Sequence, residues 1–279
     1  MSTQATLCPF CRGLNSAGER RCYRCGRALP GPLASGVIGV FKNALSGEAP
    51  ITRLLVGMCL ALFALCVASE RRLPIFSDSF AMSTTVRFGA LFGPLGQIEP
   101  WRYLAAVFLH FNVLHVGMNC WSLLAVGPNA ERQFGRARYL VLFVASGVVG
   151  FLVSTWWYGG FSPHTVGASG AIFGTFASVV GVAYARRDPT WKQHLLQNVV
   201  SLAIMGFMFP ANNAAHAGGL VTGAVFGFLF AKESRRLKLD VPFGLLAGLL
   251  LLLSLASVAL SAVSPIWRSI RAQELSREY

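Results

Sequence analysis

Charge is what this sequence is short of. Asp, Glu, Lys and Arg make up only 13% of its 279 residues, where an average soluble domain carries about 25%. Hydrophobic residues make up 54%. Together with several long uncharged runs, that shortage excludes an ordinary soluble globule and indicates an all-α polytopic membrane protein. Acid is the scarcer sign, with 11 Asp and Glu against 24 Lys and Arg. A formal charge of +13 raises the question of nucleic acid, but the placement of the basic residues answers it differently. The first fifty residues are not apolar enough for a signal peptide, so the first span is expected to act as an uncleaved anchor.

Seven apolar segments are there instead, at roughly 54–69, 103–127, 138–157, 166–185, 194–210, 213–231 and 242–263. Each is near the length a helix needs to cross a bilayer, about 20 residues, the first and fifth being short. With the N-terminus inside, 17 of the 24 Lys and Arg fall on the inner side, and the outer loops 158–165 and 211–212 hold none. The positive-inside rule therefore puts the N-terminus in the cytoplasm and the C-terminus outside. It also accounts for the basic composition without nucleic acid.

The segment before the first span carries Cys8, Cys11, Cys22 and Cys25 as two CxxC pairs. Four thiolates so spaced can complete a tetrahedral Zn²⁺ site, and a reducing cytosol favours that over disulfides. Residues 1–30 are too few for a core of their own, so the metal is expected to be structural, with every coordination position filled. Residues 31–52, with Pro32 and several Gly and Ser, read as a linker. Cys59, Cys66 and Cys120 read as apolar packing residues.

The stretch that organises the rest is Gly167-Ala168-Ser169-Gly170-Ala171-Ile172-Phe173-Gly174. Gly219, Gly223 and Gly227 recur every four residues and form one smooth helix face, which Gly170 and Gly174 match. If those faces pack, Ser169 and His216 come within hydrogen-bond reach, roughly 2.6–3.2 Å, as a nucleophile and its base. Both lie about one turn, on the order of 5 Å, below the outer ends of helices running the same way. Taken alone, Ser169 also reads as a packing serine bonded to its own helix. G-x-S-x-G is absent, because Ala171 stands where its last glycine belongs. On the second segment His110, His115 and Asn119 follow; His115 and Asn119 share a face and suit an oxyanion site or a polar clasp between helices. No carboxylate joins them within the bilayer, since Glu99 is in a loop and Glu131 at a cytosolic end, which argues against an intramembrane metal. His164 and His194 read as solvated, and Pro210-Ala211-Asn212-Asn213 as a flexible, uncharged loop.

These residues resemble the rhomboid family of intramembrane serine proteases over roughly 53–232. Trp101-Arg102, His110-x4-His115-x3-Asn119, Gly127-x3-Glu131-x3-Gly135, Gly167-Ala168-Ser169-Gly170 and Ala215-His216-x2-Gly219-x3-Gly223 match its motifs in order. The resemblance implies a six-helix core, with Ser169 as nucleophile and His216 as general base and later acid. It implies His115, Asn119 and the Ser169 N–H as oxyanion donors, Phe173 packed on the base, and His110 as a structural histidine between loops. No acidic third member is expected, and no catalytic cofactor. Substrates would be single-pass transmembrane proteins, cut near the outer face after local unwinding, with entry past the fifth helix. A bacterial inner (plasma) membrane is the expected location. The segment 1–30 and residues 233–279, with a seventh helix, lie outside that core, and the former can recruit a cytosolic partner. The rival classes are a non-catalytic relative that binds membrane clients, and a transporter or channel.

Overall fold

The computed structural model describes residues 6–7, 13–16, 19, 21–27, 48–208, 212–232 and 240–277. The chain divides into two compact units, Met1–Pro50 and Ile51–Tyr279. In the first, β1 (Thr6–Leu7) pairs antiparallel with β2 (Leu14–Asn15), Leu7 opposite Leu14. A turn follows over residues 22–25, closed by the Gly26 N–H on the Cys22 carbonyl at 2.8 Å, with Gly26 at φ +70°.

Among its described residues the second unit is mainly helical. Its elements are α1 (Pro50–Glu70), α2 (Met82–Phe88), α3 (Leu95–Ile98), α4 (Arg102–Ala105), α5 (Val113–Phe134), α6 (Arg136–Tyr158), α7 (Ser169–Ala185), α8 (Trp191–Met208), α9 (Asn213–Lys232), α10 (Asp240–Val263) and α11 (Ile266–Leu275). Among the described residues four stretches are long and apolar enough to cross a membrane: Pro50–Glu70, Arg136–Phe161, Asn213–Lys232 and Pro242–Val263. A fifth arises if the bent pair Arg102–Phe108 and Val113–Phe134 counts as one span. The protein is thus an all-α, multi-pass membrane protein. The central stretch, through α6, is 61% buried, against 17% for the one through α10 at the periphery.

The second apolar segment departs from the continuous helix expected over 103–127. Arg102–Phe108 and α5 meet at 88°, so His110 lies in the break rather than on a helix. Asn112 makes the break. Its backbone is extended at φ −157°, and its Oδ1 accepts the His115 N–H at 2.8 Å, an N-cap that starts α5. Its Nδ2 donates to the carbonyls of Phe76 and Asp78 at 2.8 and 3.0 Å, tying the break to the loop before α2.

The other motifs on this side serve the scaffold. Buried Glu131 accepts the Ile51 and Thr52 N–H groups at 3.0 and 2.9 Å, and the Thr52 hydroxyl at 3.0 Å. A carboxylate here satisfies amides that the first turn of α1 leaves unpaired. Gly127 admits this contact, because a Cβ there would sit 2.7 Å from the Thr52 side chain and the Tyr139 hydroxyl. Fully buried Arg102 pairs with Glu99 through Nε and Nη2 and donates from Nη1 to the Val86 carbonyl at 2.6 Å. Cys59, Cys66 and Cys120 are buried among apolar side chains.

Candidate active site

α7 and α9 pack backbone against backbone. A Cβ on Gly219 would lie 2.1 Å from the Gly170 carbonyl oxygen, one on Gly223 1.9 Å from that of Gly174, and one on Gly227 2.0 Å from that of Ser178. The partners advance together along both chains, so the helices run parallel and their N-terminal ends are neighbours. Those ends carry Ser169 and His216. Ser169 Oγ and His216 Nε2 are 2.7 Å apart, within the reach a nucleophile and its base require.

The surroundings of this pair set its protonation. If Nε2 is to accept the serine proton, Nδ1 must carry the ring hydrogen. No group among the described residues hydrogen-bonds Nδ1, so no carboxylate orients the ring from behind. Phe173, one turn after Ser169, packs on the imidazole instead, with centroids 4.8 Å apart at 36°.

Gly167 shapes the approach from the other side. Its φ of +126° is a conformation L side chains rarely adopt, and a Cβ there would meet His115 Nε2 at 2.8 Å. The absence of a side chain thus lets the His115 ring lie against the loop that leads into Ser169. The Phe111 N–H faces His115 Nδ1 at 3.5 Å, which leaves the ring proton on Nε2, pointing at this loop. Asn119 donates one Nδ2 hydrogen to the His115 carbonyl at 2.9 Å and retains a second. With the first N–H groups of α7, which the helix leaves unpaired, His115 Nε2 supplies a donor beside the loop into Ser169, and donors so placed suit a developing oxyanion.

His110 is fully buried and sits edge-on to His115 at 4.9 Å, a support for that ring. His164 is not solvated as the sequence suggests. Its Nε2 lies 2.9 Å from the Thr85 hydroxyl, and its ring meets Phe111 edge-on at 4.9 Å. Burial pushes its imidazole down to about 4, partly offset by the Glu274 carboxylate, so at neutral pH it is an uncharged packing group. His194 stays apart, on α8.

Of the four cysteines read as metal ligands, Cys8 and Cys11 lie outside the described residues. Among the described residues there is no group of three or more His, Cys, Asp or Glu side chains able to hold a metal. Cys22 is buried and Cys25 exposed, at the two ends of the turn closed by Gly26.

Asn212 was missed as a site residue. Rather than belonging to a flexible loop, it caps α9, its Oδ1 accepting the Ala215 N–H at 3.1 Å. An Asn directly before an apolar helical run is the signal that identifies it.

Comparison with known proteins places the chain in a family. The rhomboid domain family matches residues 97–233, which take in Ser169, His216, His115 and Asn119. Rhomboid-like protease 1 of Toxoplasma gondii is 32% identical over 206 residues, 69% of this chain and 68% of that protein. The chain belongs to the rhomboid family. Rhomboid protease GluP of Bacillus subtilis is 32% identical over 219 residues, 76% of this chain but 40% of the relative. Rhomboid protease AarA of Providencia stuartii is 28% identical over 183 residues, 56% of this chain and 65% of that protein. This rhomboid chain thus spans less than half the length of GluP. Its N-terminal unit and the helices α10 and α11 fall outside the matched domain.

Proposed function

We propose that the protein is an intramembrane serine endopeptidase that cleaves single-pass transmembrane proteins near the outer membrane face. The observation that carries this is the 2.7 Å contact between Ser169 Oγ and His216 Nε2. In the proposed reaction His216 takes the Ser169 proton as Oγ attacks the scissile carbonyl, giving a tetrahedral oxyanion. His115 Nε2–H, the second Asn119 amide hydrogen and the Ser169 N–H receive that charge. His216 then protonates the leaving amine, and water resolves the acyl-enzyme by the same steps in reverse roles. A helical peptide bond has no free carbonyl to offer, so the substrate unwinds locally. Freed backbone groups are tolerable in a bilayer only inside a protein cavity, so the unwound segment is received within the protein rather than in lipid.

The positive-inside count supports a cytoplasmic N-terminus, and the similarity to rhomboid proteases of Bacillus subtilis and Providencia stuartii supports the inner (plasma) membrane of a bacterium. For the N-terminal unit the reading is a Zn²⁺ held by Cys8, Cys11, Cys22 and Cys25, structural rather than catalytic, with recruitment of a cytosolic partner as its use. Metal analysis of purified protein is expected to give about one zinc per chain, lost in Cys22→Ser.

Co-expression of a tagged single-pass substrate tests the protease reading. Wild type is expected to cleave it, and Ser169→Ala and His216→Ala to leave it intact while accumulating in the membrane at wild-type levels. Cleavage that survives in Ser169→Ala would sink the assignment. Capture of the uncut substrate by all three proteins would mark a client-binding relative instead.

A further inference from the structure

A second polar link joins the same two chain segments as the Ser169–His216 contact. Asn212, four residues before His216, donates from Nδ2 to the hydroxyl of Thr165, four residues before Ser169, at 3.0 Å. The same Nδ2 donates to Ser154 Oγ on α6 at 2.6 Å. At the other end of the amide, Oδ1 accepts the Ala215 N–H at 3.1 Å, and the Asn212 carbonyl accepts the His216 N–H at 3.1 Å. Every polar group of this residue beyond its own N–H is engaged within one turn of His216.

The directions of these bonds are determined. Thr165 Oγ1 gives its proton to the Pro163 carbonyl at 2.9 Å, so toward Asn212 it is an acceptor and needs Nδ2. The Ala215 N–H needs an acceptor, so it must face Oδ1. A flipped amide would fail both partners, and Asp would bring no donor for Thr165. Thr165 is itself held to Leu91 by two backbone hydrogen bonds at 3.1 and 2.7 Å, and Ser154 and Thr165 are both buried. Asn212 is therefore anchored on α6 and on the loop that delivers Ser169.

Resting on the protease reading, we propose that Asn212 is a positioning residue, which sets the height and rotation of the first turn of α9 so that His216 Nε2 meets Ser169 Oγ. It touches neither substrate nor reacting atoms. A displacement near 1 Å at such a pair can cost up to about a hundredfold in rate, so loss of one anchor is expected to show in turnover rather than in substrate binding.

Asn212→Ser separates this role from helix capping. Serine caps a helix about as well as asparagine, yet is too short to span to Ser154 and Thr165. The measurements are kcat and KM on a transmembrane test substrate in proteoliposomes, and the rate of Ser169 labelling by a fluorophosphonate. In that labelling the Oγ–P bond forms, P–F breaks, fluoride leaves and the serine proton passes to His216. Asn212→Ser is expected to lower kcat and the labelling rate by about tenfold, with KM within about twofold and thermal unfolding near wild type. Thr165→Val, which removes the acceptor from the opposite side and keeps the backbone pairing, is expected to lower both in the same way. The double variant should be no worse than Asn212→Ser alone, because Asn212→Ser has already removed the link to Thr165. Wild-type kcat and labelling in Asn212→Ser would overturn the positioning role and leave the protease reading intact. A wild-type protein that never labels at Ser169 would overturn both.

Discussion

Two faces of this molecule are lined with small residues, and they do opposite things with them. Where α9 meets α7, Gly219, Gly223 and Gly227 leave no side chain on α9 at the points of closest approach, and carbonyl oxygens of α7 lie where their Cβ atoms would be. On α10 the small residues are Ser254, Ser257 and Ser261, all buried, and each hydroxyl turns back to a carbonyl of its own helix at 2.7–2.8 Å. Only past the end of α10 does a serine reach across, Ser264 donating to Glu99 Oε1 at 2.7 Å. Glycine thus makes a seam with one permitted geometry, whereas self-satisfied serine makes a smooth surface that fixes little. The seam that sets the distance between Ser169 and His216 is built in the first way. The peripheral helix, outside the matched domain, is attached in the second.

The largest effect should come from spoiling the seam. Gly223→Val puts a branched side chain where the Gly174 carbonyl already is, at 1.9 Å from the Cβ position, with its carbon at 2.4 Å. Backbone on both sides cannot yield, so α7 and α9 must part. The cost is expected to exceed about 4 kcal/mol, beyond the ordinary range for a point change, with no Ser169 labelling. A thermal unfolding midpoint within a few degrees of wild type would show that the seam adapts. Gly248→Ala on α10 is the control, since nothing lies within 4 Å of that position.

Next is the buried pair that α10 leans on. Arg102→Met leaves Glu99 charged, buried and without its guanidinium. Breaking a buried pair from one side typically costs about 3–5 kcal/mol. It also frees the Val86 carbonyl, loosening the loop that pairs Leu91 with Thr165. Unfolding midpoints of Arg102→Met and of Arg102→Met with Glu99→Gln check this. The second change is expected to recover part of the loss, because it removes the orphaned charge. No recovery would mean that the carbonyl contacts, not the pair, dominate.

Much of the seam was legible in the sequence, and for a physical reason. A four-residue glycine repeat on an apolar helix has few uses other than close approach, and Ser169 and His216 stood at matching places beside two such repeats. What stayed hidden depended on contacts between distant segments. Ser264 and Glu99 are 165 positions apart, and neither is unusual where it stands. His110 was placed on a helix because the apolar run continues through it, while the competing signal, Asn112 as a cap, occupies one residue. Asn212 looked flexible because its neighbours are small and uncharged; its order comes from Ser154 and Thr165, which no local pattern announces.

Ser264→Ala probes a hydrogen bond that ties the end of the peripheral helix to the body of the protein. It removes a single neutral donor to a buried carboxylate that keeps Arg102, so Glu99 is not orphaned. A hydrogen bond to a charged group contributes about 1.5–3 kcal/mol, and the remaining guanidinium contacts should hold the loss to the low end. The same change in an Arg102→Met background should cost more, because Glu99 then has no other strong partner, and a double-mutant cycle reads that coupling. Strict additivity would place Ser264 outside the network.

Ser257→Ala should do least, although Ser257 is buried. Its hydroxyl donates to the Ser254 carbonyl within the same helix at 2.7 Å, and that carbonyl retains its place in the helical ladder when the hydroxyl goes. No partner across the interface is left unpaired, and alanine has the better helix propensity. The two terms oppose each other, so the change in stability is expected to stay within about 0.5 kcal/mol. An unfolding midpoint lowered by as much as that of Ser264→Ala would mean that the serine face of α10 bonds across the interface after all, and the contrast with the glycine seam would narrow to one of degree.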